Sequence, residues 1–428
     1  MWTKKQVINK IIDSETYSNF NAESGFPHYP QPLLLLLLIN IYIIIRNFEI
    51  LGGKNIMKFT CSQQALSKAL NTVSKAVTTR TTIPILKGIL LKTSADGTLT
   101  LSASDLDLSI EKKIDVNVEQ EGSVVVLSKL FSDIIRKLPN EQILIEEKEN
   151  NTILIKTNSS EFTIVGLPAD EFPNINEIED KSNVLAFDKE IFKDMVKKTS
   201  FAASIDESKG IIVGVLMEIE TDCVNMVALD GFRMAVAREQ MKSADSKKII
   251  ISSKIINEVN KIVSETDNEG DIHIMLSEKK AVILVDNTKV IIRLMDGEFI
   301  KYKDIIPKVN KTKVEIGRHI LLESIERASL LAKEGKNNLI KLSIKNNLMT
   351  ITSKSEEGNV KEEIIMEKTG DDLEIGFNSK YVIDVLKAVD DEQVLMEFNT
   401  STTPCLVKPL TGNSFEYLIL PVRIASNY

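Results

Sequence analysis

The chain is poor in the residues from which most active centres are built. It has three cysteines, Cys61, Cys223 and Cys405, and three histidines, His28, His273 and His319, in 428 residues. The cysteines show no metal-ligand spacing and cannot all pair within one chain, which fits small buried hydrophobes in a reducing, cytoplasmic setting. The histidines lie far apart with no Cys or Asp cluster beside them, so zinc sites and nucleophilic triads lack their parts, and neither a metal nor a cofactor is expected. Asp105, Asp230 and Asp296 are the acids an enzyme would use, but each sits in a turn-like context without a convergent base. A membrane span is short of residues too. Leu33 to Leu38 followed by INIYIII gives thirteen residues interrupted once, at Asn40, whereas a bilayer needs roughly 20.

Two readings of residues 1–56 follow. In the alternative one, the apolar run anchors a three-domain binding protein to a membrane. In the preferred one, the segment is translated from AT-rich upstream DNA, Gly52-Gly53 is a purine-rich ribosome-binding sequence read as codons, and Met57 is the initiator. No cleavage site of a signal peptide stands after the run.

What the chain does have is a repeat of domain length. LSKLFSDIIRKL from Leu127, SSKIINEVNKIV from Ser252 and NSKYVIDVLKAV from Asn378 share a Ser-Lys pair, an acid four residues after the Lys and a base seven after it. The triplets are Lys129, Asp133 and Arg136; Lys254, Glu258 and Lys261; Lys380, Asp384 and Lys387. Residues seven apart on an α-helix project within about 20° of each other, so each helix carries two cations on one face. Apolar residues such as Phe131 and Ile135, or Val382 and Leu386, supply the opposite, buried face. The lysines are 125 and 126 residues apart. A second set, FTCSQQALSKALNTVSKA from Phe59, FDKEIFKDMVKKTSFAA from Phe187 and IGRHILLESIERASLLA from Ile316, repeats at similar distance. Each reads as a strand entering an amphipathic helix, with Ser62 and Asp188 as N-caps. Alternating stretches such as GTLTLSAS and NTILIKTN read as strands.

The pattern predicts an α+β fold of three repeated domains, each running strand, helix, three strands, twice over, with two helices on one side of antiparallel sheets. Solenoid repeats are much shorter. The expected division is an extension at 1–56, outside the fold, then domains at 57–182, 183–312 and 313–428. Length and a hydrophobic content of 43% suffice for three cores. Net charge is −8, yet charge can be segregated. The helices are rich in bases, among them Lys68, Lys75, Arg80, Lys193, Lys197 and Lys198. Acids gather in EEKEN from Glu146, EIED from Glu177 and KSEEG from Lys354. A basic inner surface on an acidic body satisfies both facts.

From Met57 onward the chain resembles the bacterial sliding-clamp family, the β subunits of DNA polymerase III. The resemblance rests on MKFT at Met57, TTIPILKGILL from Thr81, LPADEFPNI from Leu167, ALDGFRMAVA from Ala228, EIGFNSKYVIDVLKA from Glu374 and YLILPVRI from Tyr417. It implies a non-catalytic processivity factor: a head-to-tail homodimeric ring of six domains, helices around a central hole, through which duplex DNA threads without sequence preference. The ring would tether the replicative polymerase, be loaded by a clamp loader and serve repair proteins through short peptide motifs, with no membrane partner. Arg80, Lys129 and Lys254 match positions that approach DNA. Lys380, Arg136, Lys261 and Lys387 are added from the repeat. A partner-peptide pocket is implied at Ile212, Leu229, Gly231, Phe232, Arg233, Met234, Ile300, Ile305, Thr402, Pro404, Leu418, Ile419, Leu420, Pro421 and Val422. Without the resemblance, Asp230-Gly231 reads as a hairpin turn and Leu418–Val422 as an edge strand. Ile300 stands where proline is common and Asp304 where some members carry a base, two departures that bear on peptide preference. Ala425 to Tyr428 form a short tail near the implied pocket. The dimer contact is implied to join Phe162 and Ile164 to Leu330 and Leu331.

Overall fold

A computed structural model describes residues 56–78, 80–175, 184–243, 246–266 and 270–424. The 33–45 run, EIED at 177 and the 425–428 tail lie outside the described residues. Met57 onward forms one compact unit, and its element order is the predicted one. Strand Lys58–Ser62 leads into helix α1 (Gln63–Val73), and three strands follow, Gly88–Ser94, Thr98–Ser104 and Leu108–Asp115. Strand Ser123–Leu127 leads into α2 (Ser128–Lys137), again followed by three, Gln142–Glu147, Thr152–Lys156 and Glu161–Val165. The second repeat places α3 (Lys189–Thr199) and α4 (Ser253–Ser264) in the same way, and the third places α5 (Arg318–Glu334) and α6 (Ser379–Ala388). Short strands at Asn117–Gln120, Leu167–Pro168 and Glu367–Gly370 are additions that the alternation did not reveal, since four residues or fewer carry too little pattern.

Local chemistry explains the helix starts. The Ser62 hydroxyl accepts from the Ala65 N–H at 3.2 Å and the Asp188 carboxylate from the Ile191 N–H at 2.9 Å, as expected for N-caps. Asn378 plays this part for α6, accepting from the Lys380 N–H. Each helix buries one stripe: Leu66, Ala69, Leu70 and Val73 on α1, Ile255, Ile256, Val259, Ile262 and Val263 on α4. Strands bury alternate residues, as in Leu339–Lys345, where Ile340, Leu342 and Ile344 are buried. Gly88 and Gly214 open corresponding strands of the first two repeats. A Cβ at Gly88 would lie 2.3 Å from the Val125 side chain, and at Gly214 2.6 Å from that of Ile250, so the neighbouring strand packs where a side chain would stand.

The sheets cross the repeat boundaries. Leu108–Asp115 of the first repeat pairs antiparallel with Thr288–Arg293 of the second, giving one nine-stranded sheet. Arg233–Gln240 of the second pairs with Phe415–Ile419 of the third, giving another. Both junctions obey one rule: the third strand after a repeat's first helix pairs with the third strand after the next repeat's second helix. A five-stranded sheet ends on Glu161–Val165 and a four-stranded one on Gly358–Ile365, each an edge among the described residues. Phe415–Ile419 is hydrogen-bonded on both sides, so it is interior and not the edge strand that its sequence suggested. The helices form a layer against the sheets, with α1 on α2, α3 on α4, α5 on α6 and α3 touching α6.

Candidate functional site: an apolar cleft and a charged helix layer

The cleft is built around the hairpin joining Cys223–Leu229 to Arg233–Gln240. Asp230 accepts from the N–H groups of Phe232 (2.8 Å) and Arg233 (3.0 Å), while Gly231 takes φ +90°, the left-handed region that favours glycine. The turn reading of Asp230-Gly231 therefore holds. Beside it, Leu418 stands opposite Met234, and the Leu420 N–H donates to the Phe232 carbonyl at 2.9 Å. These bonds join the second repeat to the third. Between them lies a cavity of about 240 Å³ lined by Leu229, Gly231, Phe232, Arg233, Met234, Ile305, Pro404, Leu418 and Leu420. Its floor belongs to a buried apolar cluster with Leu216, Val236, Phe299 and Leu406, and Ile212 packs against that cluster.

Other residues assigned to the pocket fall outside this cavity. Ile419 is fully buried in the main core, because it follows Leu418 on a strand and alternation sends its side chain to the opposite face. Ile300 lines a separate cavity of about 560 Å³ that includes Tyr302 and Asp304. Thr402 is exposed in the turn before Pro404, its hydroxyl 3.3 Å from that of Thr400. Pro421 and Val422 are half-buried, and the Val422 N–H donates to the Gly376 carbonyl at 2.8 Å.

Arg233 is buried, and its charge is used inside the protein. Its Nε lies 3.1 Å from Asp230 and one terminal nitrogen 2.5 Å from Asp384 on α6, while another donates to the Phe201 carbonyl at 2.9 Å. The guanidinium lies over the rings of Phe201 and Tyr381, at 5.2 and 4.8 Å. Burial, helped by the Asp230 charge, pushes the Tyr381 phenol above its usual range. Phe232 stacks on Tyr381 at 6.0 Å, and the Lys209 ammonium sits 5.6 Å from the Phe232 ring. Sequence reasoning missed Phe201, Lys209 and Tyr381. Asp384 was visible only as one of three repeated acids.

Lys129, Arg136, Lys254, Lys261, Lys380 and Lys387 are all exposed on their helices, whereas Lys75, Lys193 and Lys198 are half-buried and Arg80 is exposed in the loop beyond α1, not on a helix as its sequence suggested. Lys129, Lys254 and Lys380 have no carboxylate within ion-pairing distance among the described residues. Arg136 pairs with Asp133 at 2.5 Å, Lys261 with Glu258 at 2.8 Å and Lys387 with Glu326 at 2.7 Å. The acids repeated on α2 and α4 therefore face their bases, and part of the basic face is neutralised. Arg80 and Lys254 line one cavity at the first junction together with Lys75, Arg293, Asp105 and Asp296. Asp105 is a turn residue there, accepting from the Asp107 and Leu108 N–H groups. Among the described residues no three His, Cys, Asp or Glu side chains are placed to hold a metal ion, and no helix is long and apolar enough to cross a membrane.

The residues implied in self-association differ in exposure. Phe162 and Leu330 are 41% and 66% exposed. Leu331 is half-buried, and Ile164 is buried in its own core.

Comparison with known proteins fixes the family. Residues 57–176, 186–301 and 303–423 match the models of the N-terminal, central and C-terminal domains of the DNA polymerase III beta subunit. The beta sliding clamps of Staphylococcus epidermidis and Staphylococcus aureus are each 35% identical over 378 residues, covering 86% of this chain and 99% of theirs. The crystal structure of the DNA polymerase sliding clamp from Bacillus subtilis has a TM-score of 0.83 at 34% identity, and that of the beta subunit from Thermotoga maritima 0.80 at 32%; each covers 86% of this chain and 100% of the other. With all three domain models matched in chain order from Met57 and relatives covered almost end to end, the chain belongs to the DNA polymerase III beta subunit family, the beta sliding clamps.

Proposed function

We propose that residues 57–428 form three clamp domains, divided at about the predicted boundaries, and that two copies close head to tail into a ring around duplex DNA. The observation that carries this reading is the junction rule. Applied once more, the rule pairs Gly358–Ile365, the third strand after the first helix of the last repeat, with Glu161–Val165 of a second copy. Each of those strands ends its sheet, the five-stranded one at Glu161–Val165 and the four-stranded one at Gly358–Ile365. An unpaired edge is a template for another strand, and an antiparallel contact made twice by two identical chains pairs both of these edges and closes the ring. Phe162 and Leu330 then lose their exposure in the contact, while Ile164 supports the strand from behind.

The layer of helices faces the DNA in this arrangement. Phosphate contacts by lysine carry no sequence information, so the ring holds a duplex without choosing a site. Retention is topological, and no catalytic group is needed. The cleft takes the apolar side chains of short peptides from the polymerase, the clamp loader and repair proteins, the mode expected of a small apolar cavity on a rigid hairpin. Residues 1–56 contribute nothing to the ring.

The test is a salt wash of protein loaded on circular and on linear DNA. At 1 M salt the Debye length is about 3 Å, so phosphate attraction across a hydrated gap is screened. Protein should stay on circles, leave on linearisation and slide from open ends. Equal retention on circles and on linear molecules would assign binding to ordinary affinity and end the ring reading.

A further inference from the structure

The cations of the helix layer fall into two classes, and the division repeats. In α2, α4 and α6 the first-turn lysine, Lys129, Lys254 or Lys380, has no carboxylate partner among the described residues. The cation seven residues on is held by one in every case, at 2.5, 2.8 and 2.7 Å. In α2 and α4 the partner is the repeated acid of the same helix, Asp133 or Glu258. In α6 that acid, Asp384, is occupied by Arg233 beneath the cleft. Lys387 is neutralised all the same, by Glu326 of the neighbouring helix α5. The pairing is thus kept in the third repeat by a different residue. That outcome is unexpected if the acid were only a by-product of helix composition.

We propose that Asp133, Glu258 and Glu326 limit the drag of the ring on DNA by holding Arg136, Lys261 and Lys387 back from phosphate. The inference rests on the reading of this layer as the DNA-facing surface. A cation that already has a carboxylate gains little by exchanging it for a phosphate, whereas a free ammonium releases a counterion and gains the full contact. Sliding requires contacts to break continually, so the barrier to each step rises with the number of cations bound at once. The carboxylates leave Lys129, Lys254 and Lys380 as the working contacts and make the other three nearly silent.

The experiment compares three charge-changing variants of the full chain, each first shown by sedimentation to remain dimeric, by tracking single loaded molecules on stretched DNA. Lys129→Gln, Lys254→Gln and Lys380→Gln together should speed diffusion and flatten its dependence on salt. Arg136→Gln, Lys261→Gln and Lys387→Gln remove the same number of positive charges, yet should change both far less. Asp133→Asn, Glu258→Gln and Glu326→Gln should slow diffusion at low salt and steepen its salt dependence, by up to about 0.9 in the log–log slope of contact for each freed cation that reaches a phosphate. That difference should vanish near 1 M salt. Equal effects of the two cation sets, or no slowing in the carboxylate variant, would overturn the proposal. The unsubstituted protein separates this outcome from failure of the ring: if it leaves circular DNA as readily as linear DNA, the ring reading fails, and if it stays, only the drag proposal is at stake.

Discussion

Replacing Leu330 by Asp tests the ring closure with a predictable magnitude. Leu330 lies on α5, whose buried stripe is Leu321, Ser324, Ile325, Ala328, Ser329 and Ala332, and is itself 66% exposed. The monomer core therefore loses little when it is changed. Fully burying a leucine stabilises by about 1.5–3 kcal/mol, so covering its exposed two-thirds is worth about 1–2 kcal/mol at each contact. A ring of two copies has two contacts, or about 2–4 kcal/mol in all, which is about a 30- to 900-fold rise in the dimer Kd. A buried charge adds to this figure. Sedimentation velocity over a dilution series should show monomer at concentrations where the unsubstituted protein is dimeric, with the thermal unfolding of the monomer unchanged. A dimer Kd within a few-fold of the original would refute the edge-to-edge geometry.

The cleft is probed at its rim, because Met234 is 1% exposed and a charge there would damage the fold as well. Phe232→Asp with Leu420→Asp should abolish stimulation of the polymerase while leaving retention on circular DNA intact; full stimulation would remove the cleft from the partner site. Glu218 gives a pH prediction. Burial raises its carboxyl, but hydrogen bonds from Lys248, Tyr302 and Lys303 outweigh it and hold the pKa at about 2. The folded value lies below the ordinary one of about 4.3, so this carboxylate stabilises above that pH and the contribution is lost as pH falls through about 2. Glu218→Gln should cost about 1–3 kcal/mol near neutrality by denaturant unfolding, and the cost should shrink below pH 4; a constant difference across that window would contradict the assignment. A chain begun at Met57 should dimerise and support processive synthesis as the full chain does, and loss of either would give residues 1–56 a role.

Periodicity alone was enough to establish the strand and helix order, the three repeats and the N-caps at Ser62 and Asp188. These are decided within a few residues of chain: alternation selects strands, the 3.6-residue stripe selects helices, and a short polar side chain caps the adjacent N–H groups. The matched lysines were visible for the same reason. Three features were settled only by parts of the chain distant in sequence. Ile419 looked like its neighbour Leu418 and proved to face the other way, since successive strand residues point to opposite faces and here each face is covered by its own apolar cluster. Asp384 looked like Asp133 and Glu258, yet it serves Arg233, 151 residues away, because sheet pairing between the second and third repeats brings the hairpin against α6. Which cations remain free on the helix layer was likewise undecidable from spacing, for Lys387 finds Glu326 on another helix. Local pattern determines which elements form and which face is apolar. The partner of a charged side chain depends on what packing sets within a few ångströms of it, and that is a property of the tertiary structure.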